Sequence, residues 1–235
     1  MSRGVSARKR VLLAWSSGKD SAWALHRLRD DPTLELAGLL TTLNAAADRV
    51  AMHGVRRELL EAQAAALGLA LFPVHLPSPC SNEAYERLMA DAMRVAREHG
   101  VTHVAFGDLF LEDVRAYRIR SLSGTGIEPL FPIWCSAADT PALARQMVSA
   151  GVRAVITCVD TQQLPSSFLG REFSAELLRD LPPSVDPCGE RGEFHTFCYA
   201  GPAFDVPLRV TTGETVAREG FEFIDVVPEG TRARS

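Results

Sequence analysis

The chain has 235 residues, enough for one large domain or two small ones, and its 46% hydrophobic and 23% charged residues match an ordinary soluble globular protein. A formal net charge of −4 argues against a dedicated nucleic-acid binder, whose surface is usually basic. No apolar run approaches the roughly 20 residues that cross a bilayer, and VLLAW is too short for a signal-peptide core, so a cytoplasmic protein without membrane contact is expected.

The apolar runs VLLAW (11–15), LAGLLTTL (36–43), LALFPV (69–74) and THVAFG (102–107) read as buried parallel strands. SAWALHRLRD, GVRRELLEAQAAALG and NEAYERLMADAMRVAREHG between them read as helices. In the last, Leu88, Ala92, Val95 and Ala96 fall at helical spacing, and Ser81 or Asn82 serves as N-cap. This alternation predicts an α/β fold: a Rossmann-like, doubly wound, mostly parallel sheet that binds ligands beyond the carboxyl ends of its strands.

The character changes after IEPLFPIW (127–134). A helix (TPALARQMVSAG) and a strand (VRAVITCVD) precede a stretch rich in proline and glycine. FHTFCYA, PLRVTT and FEFIDVV then read as antiparallel strands, with turns at AGPAF and GET. A boundary near Cys135 divides the chain into a larger domain over 1–134 and a smaller α+β domain over 135–235, with PEGTRARS expected to fray. Five cysteines without a C-x-x-C pair predict free, buried or partly buried thiols rather than disulfides or zinc.

The strongest chemical signal is Ser16-Ser17-Gly18-Lys19-Asp20-Ser21, between the first strand and the first helix. Such a turn aims backbone N–H groups and the positive end of the helix dipole at one spot, an anion site. Gly18 allows close backbone approach, the serines donate hydroxyl bonds, and Lys19 adds a full charge. Lys19 is one of two lysines among 25 basic residues, which suits a position that wants a point charge. It reads as a loop-tip residue, so its substitution is expected to leave the fold intact. Asp20 beside phosphate is repulsive unless it caps the helix or helps hold Mg2+. The plain alternative is a strand–helix turn with ordinary capping residues. A Walker A loop is excluded, because Leu13 and Asp20 stand where it needs Gly and Ser or Thr.

Downstream, Gly107 and Asp108 follow the fourth strand, where Asp108 suits a metal ligand, a substrate contact or the start of a turn. Arg115 and Arg118 share a helical face that grips an anion or is simply solvated. In Cys188-Gly189-Glu190-Arg191-Gly192-Glu193-Phe194-His195, two glycines alternate with two carboxylates and an imidazole follows. That is a general-base or metal arrangement, or a polar hairpin entry. His53 and His75 are further residues that could approach a ligand; His26, His99 and His103 are assigned to helical or helix-end packing and surface positions.

Ser16–Ser21 resembles the S-G-G-K-D-S loop of PP-loop ATP pyrophosphatases, with Ser17 replacing the first glycine. VLLAWSSGKDSAWAL, HGVRRELLEAQAAALG, PCSNEAYERLM, VAFGDLFLEDVRAYR, FPIW, FLGREF and DPCGERGEFHTF together resemble the diphthine–ammonia ligase family over most of the chain. The resemblance implies an ATP-binding domain followed by a substrate domain. It implies a reaction in which a carboxylate, small-molecule or protein-borne, is activated as an acyl-adenylate and passed to ammonia, releasing AMP and pyrophosphate. It matches Ser16, Gly18, Lys19, Asp20 and Ser21 to the ATP loop, and Gly107, Asp108, Gly189, Glu190, Gly192 and Glu193 to the other shared motifs. Lys19, Asp108, Glu190, Glu193 and His195 are the expected catalytic set, with ATP and Mg2+ as cofactors and Asp20 and Asp108 on the metal. In the diphthine ligases an acidic residue follows the aromatic of this stretch; here it is His195, and the H-T-F version resembles a branch with another substrate.

Two rival readings remain. A thiolating or lysidine-forming tRNA-modifying enzyme would use the same loop, but the acidic balance and missing C-x-x-C pairs weigh against it. A nucleotide-binding sensor without chemistry is disfavoured by Lys19 and Asp20 together with the GERGE segment. Association into a homo-oligomer stays open.

Overall fold

The run Val11-Leu12-Leu13 has no polar face, so it is stable only with apolar cover on both sides. It forms the centre of β1 (Lys9–Ala14), and all three side chains are fully buried. The computed structural model describes residues 8–46, 49–50 and 54–230. After β1 come α1 (Lys19–Arg29), β2 (Leu34–Asn44), the two-residue β3 (Arg49–Val50), α2 (Arg57–Ala66) and β4 (Leu71–Leu76). Then follow α3 (Asn82–Glu98), β5 (His103–Ala105), α4 (Glu112–Leu122) and β6 (Glu128–Leu130). β4, β2, β1, β5 and β6 lie side by side in that order, all parallel, and β3 pairs antiparallel with the end of β2.

Alternation along β1 divides the core. Val11 and Leu13 pack with Leu25 and Leu28 of α1 and Leu59 and Leu60 of α2, whereas Leu12 packs with Met93 and Ala96 of α3 and Leu122 of α4. Helices therefore cover both faces, as the doubly wound expectation requires. Ser81 is the N-cap of α3, accepting the Ala84 N–H at 3.2 Å. The inward face of α3 carries Leu88, Ala92 and Ala96 as expected, whereas Val95 is 38% exposed and Met93 takes the inner position.

The remaining elements are α5 (Thr140–Ser149), β7 (Arg153–Asp160), α6 (Ala175–Asp180), β8 (Phe194–Ala200), β9 (Val210–Arg218) and β10 (Phe221–Pro228). The strands form a separate antiparallel sheet ordered β8-β7-β10-β9. The core on the α1/α2 side runs on into this sheet through Ile156, Phe197 and Val226. Asp225 of β10 fastens the two parts, accepting bonds from Arg49 Nη1 at 2.9 Å and Arg56 Nε at 3.0 Å. One expected turn is misplaced. Gly213–Thr215 lies inside β9, and the chain reverses at Glu219 and Gly220, with φ of 50° and 87°. Arg218 pairs with Phe221 across them, so this is a two-residue hairpin, whose favoured turns use positive φ. Among the described residues no helix is long and apolar enough to cross a membrane, and all five cysteines are free.

Candidate active site

β1 and β5 are neighbours, yet the chain leaves β1 for β2 on one side and comes back to β5 on the other. The loops after these two strands diverge, leaving a crevice at the point where the strand order reverses. A cavity of about 1070 Å³ opens there, bordered by Ser16, Gly18, Lys19, Asp20 and Ser21 after β1 and by Gly107 and Asp108 after β5. Glu190, His195 and Thr196 border it from the second half of the chain. Gly107 is needed for this approach: a Cβ there would lie 3.1 Å from both Asp20 C and Ser21 N.

Within the first loop, Ser17 has φ 68°, a left-handed conformation that favours glycine. That is the position at which the PP-loop pattern carries glycine. Its side chain is fully buried, and its hydroxyl has no hydrogen-bond partner among the described residues. Ser16 Oγ lies 3.2 Å from Ser21 Oγ, which donates to the Gly18 carbonyl at 2.9 Å. The strand β8 holds the loop from outside: the Cys198 N–H donates to the Ser17 carbonyl at 2.8 Å, and Thr196 Oγ1 accepts the Lys19 N–H at 3.1 Å.

Lys19 is not the exposed loop tip expected from the sequence; it is 2% exposed. Its ammonium contacts Asp20 Oδ1 at 3.0 Å and Oδ2 at 2.9 Å and donates to the Cys188 carbonyl. The rings of Phe173 and Phe194 lie 5.3 and 5.4 Å from it. Burial alone would lower its pKa, but Asp20 and the other acidic groups around it, Cys188 and Glu190, together outweigh this and hold the ammonium above its ordinary value, so it stays charged.

Asp108 pairs with Arg118, Oδ2 to Nε at 3.2 Å, and the Arg118 guanidinium lies over the Phe106 ring. Arg115 does not join it at the cavity wall; it stacks over Trp134 and Phe131. Glu190 sits between the two halves of the site, accepting the Leu109 N–H at 2.7 Å through Oε1. Burial pushes its carboxyl up to about 7; the Leu109 bond opposes this, and Asp20 and Asp108 add to it. A carboxyl so placed exchanges a proton near neutrality.

Glu193 is set apart from these. It is 1% exposed, does not border the cavity, and accepts backbone N–H bonds from Asp186 at 2.8 Å and Arg191 at 2.9 Å. Its geometry is that of a brace for the turn that presents Glu190. His195 borders the cavity, and burial, with Lys19 nearby, holds its imidazole below its ordinary pKa and neutral. His75 is exposed on β4 and does not border the cavity; His103 lies buried in β5 rather than at a helix end; His53 lies outside the described residues.

Two carboxylates, Asp20 and Asp108, are hard oxygen donors at the cavity rim, and each has a cationic partner. Among the described residues no three acidic, histidine or cysteine side chains cluster to hold a metal by themselves. Mg2+ usually takes one or two carboxylates and completes its shell with substrate phosphates and water, so this donor set fits it. Thr196 was legible only as a member of the H-T-F stretch; its bond to the Lys19 N–H arises where distant segments meet.

The sequence profile of the diphthamide synthase N-terminal domain matches residues 9–125, and that of the diphthamide synthase C-terminal domain matches residues 139–227. The chain is also 28% identical over 238 residues to a Danio rerio protein named diphthine–ammonia ligase, covering 92% of each. With both profiles matching in order, this chain belongs to the diphthine–ammonia ligase (diphthamide synthase) family.

Proposed function

We propose that this chain is an ATP-dependent carbon–nitrogen ligase that activates a carboxylate as an acyl-adenylate and transfers the acyl group to ammonia. The reading rests above all on the convergence of Ser16, Gly18, Lys19, Asp20, Ser21, Asp108 and Glu190 on one cavity at the β1/β5 crevice. A carboxylate oxygen attacks the α-phosphorus and pyrophosphate leaves; ammonia then attacks the acyl carbon and AMP leaves. Each step needs oriented reactants and a place for phosphate charge more than a protein nucleophile.

The positive end of α1 and the Gly18 N–H offer phosphate contacts, and the charged Lys19 adds its field at the same wall. Asp20 and Asp108 would hold Mg2+, whose chemistry is to neutralise charge on the phosphates. Glu190 accepts the proton that the ammonium or the attacking amine must lose. Glu193 holds the Glu190 turn, and Arg118 orients Asp108. Residues 1–134 form the nucleotide domain and 135–235 the acceptor domain in this reading, with the reaction placed in the cytoplasm. His195, where diphthine ligases carry an acid, argues for testing acceptors other than diphthine alongside it.

The experiment is product analysis. The protein is incubated with ATP, Mg2+, ammonium and a panel of carboxylates including diphthine, and nucleotides are resolved chromatographically. AMP and pyrophosphate in equal amounts, with amide formed, are expected. ADP and phosphate would overturn the adenylation step and point to an acyl-phosphate route.

A further inference from the structure

Gln63 of α2 is fully buried, and all its polar atoms that face protein are engaged. Its Oε1 accepts the Trp15 indole N–H at 2.9 Å. An indole nitrogen only donates, so this contact fixes which end of the amide is oxygen and turns the NH2 the other way. That NH2 donates to the Cys198 carbonyl at 2.6 Å and the Ser17 carbonyl at 3.1 Å. One side chain thus joins the end of β1, the loop after it and β8.

The bond to Ser17 has a geometric effect. In a trans peptide the carbonyl and the next N–H lie in one plane and point in opposite directions. The Ser17 carbonyl is held by two donors, Gln63 and the Cys198 N–H. The Gly18 N–H of the same peptide must therefore face the other way, where it meets Ser16 Oγ at a long 3.3 Å on the cavity wall. Because Ser17 sits at φ 68°, a conformation costly for a side chain, this peptide orientation needs an outside hold.

We propose that Gln63 is a positioning residue for phosphate binding: it fixes the Ser17–Gly18 peptide so that the Gly18 N–H is presented to a nucleotide phosphate. The inference rests on the ATP reading given above and adds to it a residue that touches no ligand. It separates two contributions to nucleotide affinity, since Gln63 acts on the phosphates and not on the nucleoside.

The test measures ATP and adenosine affinity by calorimetry on the full chain with Mg2+, comparing wild type with Gln63→Met, which keeps the length and loses the donors. ATP affinity should fall about tenfold, the size of one hydrogen bond lost, while adenosine affinity changes less than twofold. A general loss of packing would weaken both alike, so an unchanged ratio of ATP to adenosine affinity overturns the proposal. Wild type that binds no ATP would instead remove the ATP reading, and this inference with it. If Gln63→Met does not fold, Gln63→Glu serves. Its carboxyl can donate only when protonated, and burial raises a carboxyl's pKa to as much as about 9, so its ATP affinity relative to wild type should rise as pH is lowered from about 10 to about 6, and a ratio flat over that range overturns the proposal.

Discussion

Glu190 Oε1 accepts the backbone N–H of Leu109 at 2.7 Å, across 81 residues of sequence. The bond sets a carboxyl from the turn before β8 against the segment that carries Asp108. It leaves Oε2 for chemistry in a setting that pushes the group up to about 7.

Glu190→Gln should therefore change both turnover and the pH dependence of stability. As the proton acceptor, Glu190 must be ionised, so wild-type turnover rises with pH through about 7, and the variant loses on the order of 100-fold. For stability the sign is opposite. The folded pKa lies above the unfolded one, so the folded state holds a proton that the unfolded chain has lost, and stability falls as pH rises through that window. The variant, which keeps an acceptor for Leu109, should melt higher than wild type at pH 8 and alike near pH 4. A melting difference independent of pH would contradict the assignment.

Lys19→Ala should destabilise the fold by about 3 kcal/mol, because it leaves the Asp20 carboxylate and the Cys188 carbonyl without their cation and opens space between Phe173 and Phe194. Urea unfolding at pH 7 measures this. A variant as stable as wild type would mean that the ammonium is not enclosed. ATP affinity should fall as well, and must be measured at a temperature where the variant is folded.

Ser17→Gly should stabilise the protein by about 1 kcal/mol. Glycine adopts φ 68° without strain, and the change removes a buried hydroxyl that has no partner among the described residues. The greater freedom of glycine in the unfolded chain subtracts part of that gain. Thermal unfolding decides the sign, and a lower melting temperature would show that the hydroxyl is used.

Most of the fold was legible because its signals are local. The parallel strands announce themselves as apolar runs such as Val11–Leu13, and the Ser16–Ser21 loop as serine, glycine and lysine between a strand and a helix. The misplaced turn at Gly213–Thr215 shows where local signals mislead. Glycine permits a turn without requiring one; here Gly213 and Glu214 together face Asp225 in an irregularity of the ladder, and the pairing of β9 with β10 on both sides carries the strand through. Lys19 was legible as a residue type but not in its burial, which depends on Phe173, Cys188 and Phe194. Glu193 looked equivalent to Glu190 in the repeated Gly-Glu pattern. Only the backbone bonds from Asp186 and Arg191 separate a brace from a group at the cavity.

The Lys19 N–H reaches Thr196 Oγ1 across 177 residues. During synthesis at roughly 5–20 residues per second, the first sheet is complete well before β8 leaves the ribosome. A nascent chain would thus carry its Ser16–Ser21 loop for many seconds without Thr196, Cys198 and Glu190. In the ATP reading proposed above, the site is complete only once β8 has been made. A fragment ending at residue 150 tests this directly, because it should bind ATP far more weakly than the full chain even where circular dichroism shows its helices formed.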